Sequence, residues 1–415
     1  MSGALERARQ AELHRAEWLV QVCVPPVQNG GVVTVGGRVV AAGAFEEVRK
    51  ECPARVRTFD HGSAALFPAL VNCHTHLELS ALKGMIPFPQ PGFRQWLTLL
   101  FELRAAKEPN AATQSLRLGE LEAFRNGTGL CGDITNGGAA ATSGFQALER
   151  RIFLELLGFN LDSIQAALPP DVSIGGTVAV PHSVYSVSAP IIAECKALAR
   201  ARGLPFTIHV CEHLEEIEFL ETGTGFCREL LERLGRLEPA WKPPGKTPIE
   251  YLEGLGVLDS NTLLVHAVHL TDSDWALAAK RSCTAVFCPR SNQNLGVGRP
   301  RMERALSLGL TSCLATDSLA SNEDLNLFAE AGHVLDNHPR IVPAKVLEMI
   351  TLNPARALGY AGEFGCIAPG ARSNMLAVQV GAGVDKASLA RALIESGRKG
   401  AWKWVSNPPG LNWEG

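Results

Sequence analysis

His74 and His76 stand two residues apart at the end of the apolar run Phe67-Pro68-Ala69-Leu70-Val71-Asn72-Cys73. On a strand, side chains two apart share a face, so both imidazoles can converge on one cation while Cys73 and Thr75 point away. An N-ligated transition metal needs that arrangement. His182, His209, His266 and Asp317 each close a later apolar, strand-like run. Six metal-ligating or acid–base residues at the C-terminal ends of predicted strands point to one site rather than to coincidence.

The runs that carry these residues define the architecture. After the opening run come 129–134, 151–156, 176–182, 205–210, 262–266, 284–288 and 311–317, which makes eight strands. Stretches with apolar residues at 3.6-residue spacing, such as 115–125, 189–202 and 302–308, separate most of them as helices. Strand and helix repeated eight times predict an α/β fold, a (β/α)8 TIM-type barrel, whose active site lies at the C-terminal ends of the strands. Insertions at 78–107 and 215–248 are candidate lids or substrate walls on that face. At the chain ends, short apolar runs are broken by Asn29-Gly30-Gly31, Gly36-Gly37 and the 365–370 turn. These predict a small composite β-sandwich from residues 1–66 plus 365–415, beside a catalytic barrel over 67–364.

A chain of 415 residues with 46% hydrophobic content can bury a core of that size. The net charge of −3, with no long run of one sign, argues against a nucleic-acid backbone or an anionic membrane surface as partner. A small-molecule substrate is the expectation, with a homodimer as a plausible assembly. Eleven cysteines lack any Cys-x-x-Cys pair and are odd in number, which reads as a reducing cytoplasm. The start MSGALERARQAELHRAE is too polar for a signal peptide, and no apolar window reaches the length of a membrane span.

The stretches Pro68-Ala69-Leu70-Val71-Asn72-Cys73-His74-Thr75-His76, His209-Val210-Cys211-Glu212, Val265-His266 and Ala315-Thr316-Asp317 together resemble the amidohydrolase superfamily. The likeness covers nearly the whole chain and is strongest to the branch of chlorohydrolases and of cytosine, guanine and S-adenosylhomocysteine deaminases. It implies that His74, His76, His209 and Asp317 hold one divalent metal, Zn2+ with Fe2+ as the alternative, and that His266 and Asp317 orient and deprotonate the attacking water. Three imidazoles and a carboxylate suit either ion. Binuclear relatives use a bridging modified lysine on the fourth strand, and the run 176–188 contains no lysine. In the resembling deaminases a glutamate three positions after the fifth-strand histidine shuttles protons, and here that residue is Glu212. An amino group leaves a heteroaromatic ring poorly unless the ring is protonated as hydroxide attacks, and a positioned carboxylic acid meets that need. His182 matches a position that faces substrate rather than metal.

The loop signatures His76-Leu77-Glu78-Leu79-Ser80, Phe93-Arg94-Gln95-Trp96-Leu97, Cys288-Pro289-Arg290-Ser291-Asn292 and Thr316-Asp317-Ser318-Leu319-Ala320-Ser321-Asn322 are similar to those of aminodeoxyfutalosine deaminases of the futalosine route to menaquinone. That implies conversion of 6-amino-6-deoxyfutalosine to futalosine and ammonia. Glu78 would then accept from a substrate hydroxyl, Trp96 would form a stacking wall, and Arg94 would pair with a ligand carboxylate. Deaminases of adenosine or S-adenosylhomocysteine, and triazine or cyclic-amide hydrolases, share the same metal-binding residues and are the alternatives. Pro68-Ala69-Leu70 replaces the frequent Pro-Gly-Leu of the family, and Ser373-Asn374 replaces a frequent Ala-Asp.

Overall fold

The computed structural model describes residues 11–52, 56–105, 111–137, 145, 148–168 and 177–405. The expected β domain extends past these at 1–10, 53–55 and 406–415, the first insertion at 106–107 and the fourth strand at Gly176. Those positions lie outside the described residues.

The chain opens with β1 (Ala11–Leu19), β2 (Val27–Val35), β3 (Arg38–Ala44), β4 (Arg57–Asp60) and β5 (Ala64–Pro68). Eight parallel strands follow: β6 (Leu70–Thr75), β7 (Thr128–Thr135), β8 (Glu149–Leu156), β9 (Val178–Pro181), β10 (Phe206–Val210), β11 (Thr262–His266), β12 (Thr284–Phe287) and β13 (Thr311–Leu314). The chain ends in β14 (Met375–Gln379) and β15 (Trp402–Trp404). Strands covered on both faces read as continuous apolar runs, and β6, β7, β9, β10, β11 and β12 are buried along their whole length. Each expected strand therefore has its counterpart.

The eight strands form two four-stranded sheets, β6-β7-β8-β9 and β10-β11-β12-β13. Their edges meet through His209 N–H donating to His182 O (3.0 Å) and Asp317 N–H donating to His74 O (3.2 Å). Both junctions use residues of the expected site. Close approach also shapes the first strand: a Cβ on Gly132 would lie 2.5 Å from Cys73 O, so only glycine lets β7 sit against the strand that carries His74.

Both chain ends contribute to one seven-stranded sheet, in the order β15-β14-β5-β1-β2-β3 with β4 on β1. The reason is edge pairing: β14 adds antiparallel to β5 from Met375↔Pro68 to Gln379↔Ala64 and extends the sheet sideways. β5 thus runs through Pro68, and the expected boundary after residue 66 falls inside a strand. Ala64 and Leu66 pack with Leu19 and Met375, while Ala65 and Phe67 join the main core, the two-residue alternation of a sheet buried on both faces. Asn29-Gly30-Gly31, expected as a turn, lies within β2. There a Cβ on Gly30 would come within 2.2 Å of Leu19 Cβ, so the glycine serves close packing.

The first insertion forms a 3-10 turn at Leu77–Leu82 and a helix at Phe93–Ala105; the second forms helices at Leu214–Thr222 and Phe226–Arg233. No helix among the described residues is long and apolar enough to cross a membrane.

Candidate active site

His74 is buried near the end of β6, and His76 follows one residue past it. His209, on β10, donates from Nδ1 to His182 O (2.8 Å), which turns its Nε2 toward His76 Nε2, 3.3 Å away. Asp317, three residues beyond β13, places Oδ1 3.5 Å from His74 Nε2 and 3.6 Å from His76 Nε2. Its Oδ2 accepts from Ser291 Oγ (2.9 Å) and Ser321 Oγ (2.5 Å). One carboxylate oxygen is therefore fixed by hydroxyls and the other faces the imidazoles.

These side chains fit a divalent cation. The buried His74 has no hydrogen-bond partner at either ring nitrogen, which is costly unless something else meets them. Burial, followed by the neighbouring imidazoles, holds His76 and His209 well below the ordinary imidazole range, so their lone pairs are available. Burial would raise Asp317, but the contact with His74 and the nearby imidazoles of His76 and His266 hold its carboxyl well below the usual range. Three neutral imidazoles and one carboxylate are a donor set for Zn2+ or Fe2+.

His266 closes β11 with Nδ1 3.0 Å from Asn292 Nδ2 and Nε2 3.6 Å from Glu212 Oε1. Glu212 is buried two residues past β10, and burial, then the neighbouring carboxyls of Asp317 and Glu216, push its carboxyl well above the usual range. Cys211, His266, Ala267 and Asp317 all hold positive φ angles between 51° and 69°. Backbone strain thus gathers where the strands deliver these side chains.

Asp133 supports the turn after His76: Leu77 N–H donates to Oδ1 (3.2 Å) and Arg150 to Oδ2 (2.8 Å). Glu216 supports the next shell, accepting from Glu212 N–H (3.4 Å), and burial pushes its carboxyl up to about 8 despite the backbone donors of Cys211 and Glu212. Between the unfolded value near 4.5 and about 8 the folded chain holds a proton at Glu216 that the unfolded chain has lost. Stability contributed by this residue therefore falls with rising pH through that window, by up to about 1.4 kcal/mol per pH unit. Glu216→Gln is expected to flatten the decline of the unfolding midpoint between pH 5 and pH 8, and a slope equal to the unsubstituted protein's would refute this.

The remaining expected residues divide. Trp96 is buried, lines the cavity above the cluster and donates from Nε1 to Ala320 O (2.7 Å); His182 lines it too, with Nδ1 held by Ser183 and Ser186 hydroxyls. Glu78 does not line it. Its Oε2 accepts from Thr135 Oγ (2.7 Å) and Asn136 N–H (3.0 Å), so the carboxylate anchors the end of β7 instead of facing a ligand. Arg94 is also outside, because its guanidinium pairs with Glu229 and lies 4.8 Å over the Phe226 ring. That contact ties the two insertions together.

Glu155 was not anticipated. It is the penultimate residue of β8, lines the cavity 3.7 Å from His209 Nδ1 and leaves Oε1 without a hydrogen-bond partner. Arg104, Arg233 and Arg236 line the same cavity. An acid inside the apolar run Phe153-Leu154-Glu155-Leu156 was a readable signal, whereas arginines at the ends of insertion helices were not.

The amidohydrolase family matches residues 65–400 of this chain. An aminodeoxyfutalosine deaminase of Deinococcus radiodurans is 31% identical over 360 residues, 80% of this chain and 81% of that protein. A 5-methylthioadenosine/S-adenosylhomocysteine deaminase of Nitratidesulfovibrio vulgaris is 28% identical over 382 residues, 86% and 80% of the two chains. In fold, the chain is similar to the crystal structure of Helicobacter pylori aminofutalosine deaminase in complex with methylthio-coformycin, with a TM-score of 0.78, 21% identity and 92% and 96% coverage.

Proposed function

The chain belongs to the amidohydrolase family, a hydrolase of C–N bonds, and from that premise we propose that it deaminates an adenine-type nucleoside, with 6-amino-6-deoxyfutalosine as the substrate. The observation that carries the reading is the placement of Glu212. A buried carboxyl with a raised proton affinity lies 3.6 Å from His266 and lines one cavity with the metal-ligand cluster.

His74, His76, His209 and Asp317 would hold one divalent cation, Zn2+ by its donor set. When bound, it supplies the Lewis acidity that makes hydroxide available near neutral pH. Asp317, its Oδ2 fixed by Ser291 and Ser321, takes up a proton from water. His266 Nε2 points at Glu212 and orients the water between them. Glu212 donates its proton to the ring nitrogen as the C–O bond forms, and the amine leaves as ammonia after receiving a proton in turn. Trp96 and His182 bound the ring. The eight strands β6 to β13 act as a closed (β/α)8 barrel, with β1 to β5, β14 and β15 as the accessory β domain.

The similarity to the Deinococcus protein favours aminodeoxyfutalosine. The nearly equal match to a methylthioadenosine/S-adenosylhomocysteine deaminase favours those nucleosides as the second reading. Ammonia release by the metal-loaded protein from aminodeoxyfutalosine, adenosine, S-adenosylhomocysteine, methylthioadenosine, guanine and cytosine separates them. The expected result is a preference for aminodeoxyfutalosine. Silence across the panel with metal bound would overturn the nucleoside assignment.

A further inference from the structure

The accessory sheet takes strands from both ends of the chain. β1 leaves it at Leu19 and β14 joins it at Met375. Between these points two segments lie side by side: Ile367 N–H donates to Gln21 O (3.3 Å), and Gln21 Nε2 donates to Ile367 O (2.7 Å). Gln21 is buried, so its amide depends on this partner. Cys23 follows Gln21 by two residues, and Cys366 precedes Ile367 by one. Their thiols are in direct side-chain contact.

Both cysteines are held in place by the backbone around them. Val22 takes φ 69°, a conformation that is sterically costly for a β-branched residue, and it turns the chain immediately before Cys23. Pro25 and Pro26 then stiffen the short connection to β2. On the other side Gly365 takes φ 82°, and a Cβ there would lie 2.6 Å from Thr351 O, so glycine lets the turn that carries Cys366 pack against Thr351.

Exposure separates this pair from the other cysteines of the chain. Cys23 is exposed and Cys366 half-buried. Cys52, also half-buried, donates to Val48 O (3.4 Å), and the remaining cysteines are buried. Cys73 and Cys313 touch each other too, but inside the core, out of reach of a dissolved oxidant. Burial, then the neighbouring Cys23, pushes the Cys366 thiol up to about 11, with Arg356 opposing. Cys23 is thus the thiol that meets an oxidant first.

We propose that Cys23 and Cys366 form a reversible disulfide site that clasps the two ends of the chain beside the accessory sheet. The oxidant class is a small disulfide such as oxidised glutathione. Cys23, as thiolate, attacks one sulfur of that disulfide, whose S–S bond breaks and releases one glutathione thiolate. Cys366 gives its proton to solvent, attacks the Cys23 sulfur and expels the second. The protein pair loses two electrons and two protons, and one oxidised glutathione becomes two thiols. Closure joins residues far apart along the chain, which restricts the unfolded chain and stabilises the fold. Neither cysteine lines the cavity above the metal-ligand cluster, so the clasp stands apart from the deaminase reading.

The test incubates the Zn2+-loaded full chain with oxidised glutathione and then denatures it without reductant. Expected are a fall of two from the eleven free thiols, a loss of two hydrogens by intact mass and faster migration in non-reducing denaturing electrophoresis. The unfolding midpoint of the closed form should rise by roughly 3–8 °C. Dithiothreitol should reverse every change. C23S and C366S should each abolish the faster migration and the higher midpoint, and C52S should keep both. Eleven thiols still free, a glutathione adduct that stays on Cys23 without closure, closure that leaves the midpoint unmoved, or closure retained in C366S would each overturn the proposal.

Discussion

Glu212→Gln is expected to lower kcat by roughly 10²–10⁴ while leaving metal content and fold intact. The amide keeps the shape of the carboxyl beside His266 Nε2, 3.6 Å away in the present structure, and loses only the ability to give and receive a proton. Glutamine is also relieved of the burial and like-charge cost that raises the Glu212 carboxyl, so the variant should be no less stable than its parent. The pairing of lost turnover with undiminished stability separates a proton carrier from a packing residue. Near-normal turnover would remove Glu212 from the proton path.

Asp317→Asn is expected to act on two quantities at once, weakening metal retention and lowering kcat/KM, each by roughly 10²-fold or more. The substitution removes the one negative charge among His74, His76 and His209. It also puts an NH2 either toward the imidazoles or against the Ser291 and Ser321 hydroxyls that now donate to Oδ2. Metal content by elemental analysis, measured alongside turnover, checks both effects. Unchanged metal together with full activity would contradict both roles given to Asp317.

The parts of this molecule that were legible in its sequence are those in which burial writes a continuous signal. Thr262-Leu263-Leu264-Val265-His266 reads as a strand because both faces are covered, and its last residue falls at the expected site. The same logic placed His74, His76, His209 and Asp317. Loop side chains were less legible, since their direction depends on geometry that types alone do not convey. Arg94 and Trp96 lie two apart on one helix, about 200° around its axis, so turning Trp96 inward sends Arg94 outward to Glu229. Glu78 looked available to a ligand, yet the end of β7 presents Thr135 and Asn136 to it. Ser291, Asn292 and Ser321 stood within recognised loop signatures, but their hydrogen bonds to Asp317 and His266 join segments 26 residues apart for Ser291 and Asn292 and four for Ser321, contacts visible only in three dimensions. The chain ends read correctly as β structure, while their joining into one sheet depended on the pairing of β14 with β5.

The central claim is that one divalent metal, held by His74, His76, His209 and Asp317, supports deamination of an aminated nucleoside. It is tested most directly by stripping the protein of metal and following ammonia release from 6-amino-6-deoxyfutalosine as Zn2+ is added back. The account predicts negligible release from the stripped protein and a rise that saturates at about one ion per chain. Full activity in the stripped protein, or no release at any metal loading, would contradict it.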